Sequence, residues 1–268
     1  MKDVIITLAG ASSRFSRSVG KPAHKSIYGT NDKCLLFKML DQIKHSKNVK
    51  NVIIVTGYQH DEVTSMIHAW NNDKNPELDG FSQMNIFITY NPNWDETGSN
   101  ESMLWGLLLW NTLGKLKGES LVCIEGDLSV SNLEELLNAK VPTISRVTSN
   151  AQTILDASRD VLCCIFPDGI VEWVYDREHK AFPISEQYAK IFASGQIWEF
   201  NTNSERFTEE MKHLTDYIKV KDICNQTNLD IISRLTFDPE IFVLEDWVNC
   251  NTIDDLVKAL GYENVSSF

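Results

Sequence analysis

The sequence predicts a doubly wound α/β fold on a mostly parallel sheet. Residues 4–8 (VIITL), 51–56 (NVIIVT) and 120–125 (SLVCIE) are short, apolar and rich in β-branched side chains, as strands covered on both faces require. Helical spacing separates them: Phe37, Leu40 and Ile43 within 37–45, a similar run over 61–70, and a strongly apolar stretch over 101–113. Residues 84–90 (MNIFITY) supply one more strand. This alternation implies βαβα units, whose ligand crevice lies beyond the carboxyl ends of the strands.

Past residue 130 the pattern becomes mixed. Residues 161–166, 170–175 and 191–200 read as strands, and Pro167-Asp168-Gly169 as the turn of an antiparallel hairpin. A helix is predicted over 207–220, a strand over 241–244, and a closing helix over 252–260. Thr252 and Asp255 have the spacing of an N-terminal capping pair in that last helix. Without repeats, low-complexity tracts or a flexible linker, residues 1–268 are expected to form a single domain, with halves 1–130 and 131–268.

Composition narrows the function classes. A chain of 268 residues, 43% apolar, can bury a large core. Its formal charge of −12 argues against nucleic acid and anionic membranes as partners. No stretch approaches the roughly 18 apolar residues of a membrane helix, and residues 1–10 read as a first strand rather than a secretion signal. The six cysteines lack CxxC or metal-like spacing, so buried thiols in a cytoplasmic protein are expected. Residues 4–31 contain no acid, yet carry Arg14, Arg17, Lys21 and Lys25 with His24, a basic island suited to an anion.

The chemistry concentrates after the first strand, at Ala9-Gly10-Ala11-Ser12-Ser13-Arg14. Small residues there let backbone N–H groups approach a phosphate chain, and Arg14 adds a fork of donors. Asp127 ends another apolar strand, where an acid either caps a helix or binds a metal; Glu125, two residues earlier, reads as structural or supporting. Among seven tryptophans, Trp173 and Trp198 are the candidates for a surface facing a cationic headgroup.

An ordered series of short segments resembles the sugar-phosphate nucleotidyltransferase superfamily, and most of all bacterial CTP:phosphocholine cytidylyltransferases. The series runs through residues 9–14, His24-Lys25-Ser26, Lys33-Cys34-Leu35-Leu36, Ile54-Val55-Thr56-Gly57-Tyr58, Tyr90-Asn91-Pro92, 97–102, Gly126-Asp127, 194–198 and 249–256. The resemblance implies a Rossmann-like nucleotidyltransferase fold, a nucleotide-binding first half and an acceptor-binding second half. It implies transfer of CMP from CTP to a small phosphomonoester destined for a surface polysaccharide or lipid. Arg14 and Lys25 would be catalytic, and Leu8, Ala9, Gly10, Ala11, Ser12, Ser13, Tyr58, Thr97, Gly98, Ser99 and Ser102 would bind the nucleotide. Gly195, Trp173 and Trp198 would face the acceptor, and Asp127 with Asn249 would hold Mg²⁺. Lys25 fits the downstream spacing better than Lys21. The family has an aspartate where Asn249 stands, and Ser12 occupies a position more often glycine; Asp246 is an alternative second acid. A sugar-1-phosphate nucleotidyltransferase and a non-catalytic nucleotide-binding regulator are the rivals. A glycosyltransferase fits less well, because Glu125-Gly126-Asp127 is not an Asp-x-Asp motif. An oligomer is compatible with all of these.

Overall fold

Apolar strands without alternation need cover on both faces, and the first strand shows why. In the computed structural model, which describes residues 1–29, 33–74, 84–140, 143–147, 161–175 and 187–262, Val4 and Ile6 point into one layer and Ile5 into the other. The chain runs β1 (Lys2–Thr7), α1 (Ser13–Val19), α2 (Leu35–His45), β2 (Val49–Thr56), α3 (His60–Lys74), β3 (Asn85–Tyr90) and α4 (Ser99–Thr112). It continues with β4 (Ser120–Glu125), β5 (Leu128–Ser129), α5 (Leu133–Asn138), β6 (Thr143–Val147), β7 (Leu162–Ile165), β8 (Val171–Val174) and β9 (Lys190–Asn201). The last part comprises α6 (Glu205–Tyr217), α7 (Lys221–Cys224), α8 (Leu229–Leu235), β10 (Glu240–Leu244), β11 (Val248–Asn249) and α9 (Ile253–Leu260).

The main sheet has the order β10-β6-β9-β4-β1-β2-β3. Strands β4, β1, β2 and β3 are mutually parallel, as expected. Strand β9 is the departure, since it enters the middle of the sheet, antiparallel to both β4 and β6. The β7–β8 hairpin hangs from β9 through antiparallel pairing, and forms the expected small antiparallel region. One layer packs α2, α3 and α5 on the sheet through Leu36, Leu40, Ile43, Ile67 and Leu137. The other packs α4, α6 and α8 through Leu104, Leu107, Phe207 and Ile232.

Local chemistry explains the ends of the later elements. The expected capping pair is present: Thr252 Oγ1 accepts from Asp255 N, and the Asp255 carboxylate accepts from Thr252 N at 2.8 Å. The two-residue ribbon of β5 with β11 pairs Leu128 opposite Asn249. Strands this short leave no periodic trace in the sequence. No helix among the described residues is long and apolar enough to cross a membrane, and all six cysteines are buried and free.

The amino ends of the strands hold a buried polar network. Asp3, fully buried, accepts from Asn51 Nδ2 at 2.7 Å and Trp110 Nε1 at 2.8 Å, as well as from Gly118 N. Beside it Lys2 pairs with Glu199 at 2.8 Å, both nearly sealed from solvent. Replacing Asp3→Ala would strand those buried donors. Urea unfolding of this variant should show a loss of about 3 kcal/mol or more, because each orphaned donor costs roughly 1–3 kcal/mol.

Candidate functional site

The opposite, carboxyl ends of the strands enclose a cavity of ≈ 370 Å³. Thr7 is level with Glu125 across the β1–β4 pair, so the loops after these strands emerge side by side. The loop after β1 contributes Leu8, Ala9, Gly10, Ser12 and Arg14; the end of β4 contributes Glu125, Gly126 and Asp127. Close approach of the two depends on Gly126, where a Cβ would meet Leu8 and lie 2.8 Å from the Thr7 carbonyl oxygen. The segment after β3 adds Trp94, Thr97 and Gly98, and Asn228 arrives from the start of α8. Ser194, Gln196, Trp247, Asn249 and Asn251 close the other side, so both halves of the chain line one cavity.

Lys25 and Asp127, both in the cavity wall, form an ion pair with each side chain mostly buried. The loop bearing Lys25 is tied on both sides. His24 Nε2 bonds the Leu8 carbonyl at 2.8 Å, Ser26 Oγ donates to the Gly126 carbonyl at 2.7 Å, and Lys25 N reaches Ser12 Oγ at 3.4 Å. Burial pushes the His24 imidazole down to about 4, so it stays neutral at physiological pH and serves as a clamp. Ser12 holds φ 51° and ψ 31°, the left-handed region where glycine costs least. That conformation costs roughly 1 kcal/mol in a serine, offset in part by the bond its hydroxyl accepts. The N–H groups of Gly10, Ala11, Ser12 and Ser13 have no acceptor among the described residues, which leaves a row of donors at this loop.

The acids are arranged unequally. Asp127 Oδ2 faces Lys25, whereas its Oδ1 is buried without a partner. An orphaned carboxylate oxygen of this kind suits a cation. The β5–β11 ribbon carries Asn249 to the same place, with Cys250 N donating to the Asp127 carbonyl at 2.8 Å. Asn249 is held by Gln196 Oε1 at 3.0 Å and by Asn251 Nδ2 at 2.9 Å, which turns its own Oδ1 toward Asn251. Glu125 accepts from Asn228 Nδ2 at 2.9 Å. Burial, reinforced by the charge of Asp127, pushes its carboxyl well above the usual range.

Several expected residues lie elsewhere. Trp198 is fully buried and meets Trp173 edge to face at 5.9 Å in the layer beneath α4 and α6. Neither ring lines the cavity, so neither presents a face to a headgroup there. Gly195 is packed against Ser145 and Leu244, and only its carbonyl matters locally, accepting from Trp247 Nε1 at 3.0 Å. Ala11, Ser13 and Tyr58 also stand outside the lining; Tyr58 supports it by packing on Trp94, ring centroids 5.4 Å apart. Lys21 is exposed over the Tyr28 ring, at 5.6 Å, and Asp246 lines a separate cleft behind the ribbon. The aromatic residues that do reach the cavity are Trp94, Tyr175 and Trp247. Proximity to the Tyr90-Asn91-Pro92 segment was the available signal for Trp94. Gln196 lay within the 194–198 segment of the motif series, whereas Asn228 had no signal, since an amide carries no periodic pattern.

Comparison with known proteins agrees with this architecture. The chain belongs to the family described as "Domain of unknown function (DUF6564)", whose model matches residues 21–263. No curated protein matches the sequence. Among solved structures, the inositol-1-phosphate CTP transferase from T. maritima is similar with a TM-score of 0.62 at 12% identity, over 100% of this chain and 96% of that one. HddC from Yersinia pseudotuberculosis, complexed with GMP-PN, gives 0.57 at 15%, over 97% and 99% of the two chains. A nucleotidyl transferase from Methanothermobacter thermautotroptrophicus gives 0.53 at 16%, over 97% and 96%. The fold is therefore one shared with solved structures that include a CTP transferase and a nucleotidyl transferase, in line with the α/β fold the motif series implied.

The raised Glu125 carboxyl has a consequence for stability. A free glutamate ionises near 4.5, so the unfolded chain loses this proton before the folded one does, and stability declines as pH rises through that window. Glu125→Gln keeps an acceptor for Asn228 but no charge. It should be more stable than the parent by about 1–2 kcal/mol at pH 8, the advantage vanishing toward pH 4, as followed by chemical denaturation at both pH values.

Proposed function

We propose that this DUF6564 protein is a nucleotidyltransferase that moves CMP from CTP to a small phosphomonoester and releases pyrophosphate. The observation that carries this reading is the Lys25–Asp127 pair set against a loop of unpaired backbone donors, with Asp127 Oδ1 buried and open. A phosphate oxygen of the acceptor attacks the α-phosphorus, a new P–O bond forms, and the bond to the β-phosphate oxygen breaks. The nucleophile is already charged, so alignment and charge stabilisation are the main requirements.

The residues divide this work. Free N–H groups of residues 10–13 receive phosphate oxygens, and Arg14, exposed at the rim and without an ion pair among the described residues, takes the β- and γ-phosphates. Lys25, positioned by His24 and Ser26, lies between the α-phosphate and the incoming acceptor. Asp127 and Asn249 would hold Mg²⁺, which when bound neutralises phosphate charge. The amide of Asn249 brings no charge, so this site would be weaker than one with two acids. On the acceptor side Tyr175 and Trp247, rather than Trp173 and Trp198, supply the aromatic surface. A phosphomonoester of an alkyl alcohol suits that surface, and the product would serve decoration of a surface glycan or lipid.

Pyrophosphate release with Mg²⁺ tests the reading, using five nucleoside triphosphates against alkyl phosphomonoesters and sugar-1-phosphates. Turnover with CTP and an alkyl phosphomonoester is expected. Lys25→Ala and Asp127→Ala should each lower kcat/KM by about a hundredfold or more. Turnover confined to sugar-1-phosphates would replace the acceptor assignment, and bound triphosphate without turnover on any acceptor would favour the regulator.

A further inference from the structure

The sheet sets a charged side chain beside the second-half wall of the cavity. Arg146, near the carboxyl end of β6, pairs with Ser194 of β9. One step further Ser194 N donates to the Val161 carbonyl at 2.8 Å, and the register that puts Leu162 opposite Val174 continues from Val161 toward Tyr175. Ser194, Val161 and Tyr175 all line the cavity. Arg146 is the next residue in this row, and directly paired residues have their Cβ atoms only about 5 Å apart on one face. The long arginine stem spans that gap. Its guanidinium has no partner among the described residues: Nε is sealed from solvent and makes no hydrogen bond. The same layer lacks acceptors. Trp198, opposite Ile144 in β6, and Trp173, packed on it edge to face, are both buried with Nε1 unpaired. An arginine keeps its charge in a protein, so a partly buried one without an acceptor is satisfied only when an anion arrives.

That anion is not the phosphate under attack. The reacting phosphates belong beside Lys25 and Asp127, on the loops after β1 and β4, whereas β6 lies two strands from β4 with β9 between them. Neighbouring strands are about 4.8 Å apart, so the base of Arg146 stands roughly 10 Å to the side. An acidic group held there belongs to the far end of a small acceptor. On the proposed reading of the site as a nucleotidyltransferase, we infer that Arg146 receives a carboxylate of the acceptor, which makes the substrate class a phosphomonoester of a hydroxy acid. The planar fork of the guanidinium matches a carboxylate with two parallel bonds. Tyr175 stands in the same row and covers the short carbon chain between the two charged ends. The same arginine repels a quaternary ammonium headgroup, which Tyr175 and Trp247 alone would attract.

Pyrophosphate release by the whole chain with CTP and Mg²⁺ tests this, using acceptors that differ at the far end: butyl phosphate, the phosphate ester of hydroxybutanoate, butanediol bisphosphate and phosphocholine. The parent should use the hydroxybutanoate ester with kcat/KM about tenfold or more above butyl phosphate, and phosphocholine no better than butyl phosphate. Arg146→Met keeps the apolar stem and removes the charge. Its KM for the hydroxybutanoate ester should rise about tenfold with kcat within about threefold, while KM for butyl phosphate and for CTP stays within about twofold. Arg146→Lys should recover part of the loss. A parent without preference for the acid, a parent that prefers the bisphosphate, or a variant weakened equally toward every acceptor overturns the hydroxy-acid assignment and leaves nucleotidyl transfer standing. Failure to turn over any acceptor overturns the nucleotidyltransferase reading, and calorimetry then judges Arg146 separately. Hydroxybutanoate phosphate bound about tenfold more weakly by Arg146→Met than by the parent keeps the anion site, and equal binding removes it.

Discussion

Thr7, the last residue of β1, lies opposite Val55 of β2 and Glu125 of β4. That register brings the loop after β1 and the Glu125–Asp127 segment out of the sheet at the same height, one strand apart. Lys25, on a loop clamped to Leu8 and Gly126, then has one place to go, beside Asp127. A slip of one residue would turn Val4 and Ile6 toward the wrong layer and separate the two loops together. The buried Asp3 and Lys2 networks at the far ends guard this register, because they join β1 to β2, α4 and β9 through hydrogen bonds that exist in one alignment only.

The antiparallel β9 makes the cavity two-sided. Its insertion beside β4 carries Ser194 and Gln196 to the carboxyl ends of the parallel strands, although β9 itself runs the other way. The short β5–β11 ribbon then folds Asn249 and Asn251 over Asp127. Amides replace acids on this far side, while the carboxylates cluster on the β4 side. Burial above all, reinforced by the charge of Asp127, makes the Glu125 carboxyl resist ionisation, while Asp127 finds a counter-charge in Lys25.

Stability and function are divided between the two ends of the sheet. At the amino ends every acid named has donors, and the Asp3 carboxylate meets three. At the carboxyl ends a serine is held in a left-handed conformation, an aspartate oxygen lacks a partner, and backbone donors stand open. Such unsatisfied groups lower stability in the free protein, and an anion with its counter-ion, on the proposed reading, would satisfy them.

Much of the fold was legible because local rules decide it. Unbroken apolar runs identified β1, β2 and β4, helical spacing identified α2 and α6, and the Thr252–Asp255 pair marked the start of α9. The loop 9–14, Lys25 and Asp127 were legible by their places after strand ends and by the spacing of the motif series. Tertiary structure decided the rest. Nothing local shows that β9 enters the sheet centre, that Trp173 and Trp198 turn into the core while Trp247 reaches the cavity, or that Glu125 is held against Asn228. The physical reason is common to all three. Periodicity reports that a face is covered, not by what, and the direction of a ring, a charge or a hydroxyl proton is set by neighbours distant in the chain.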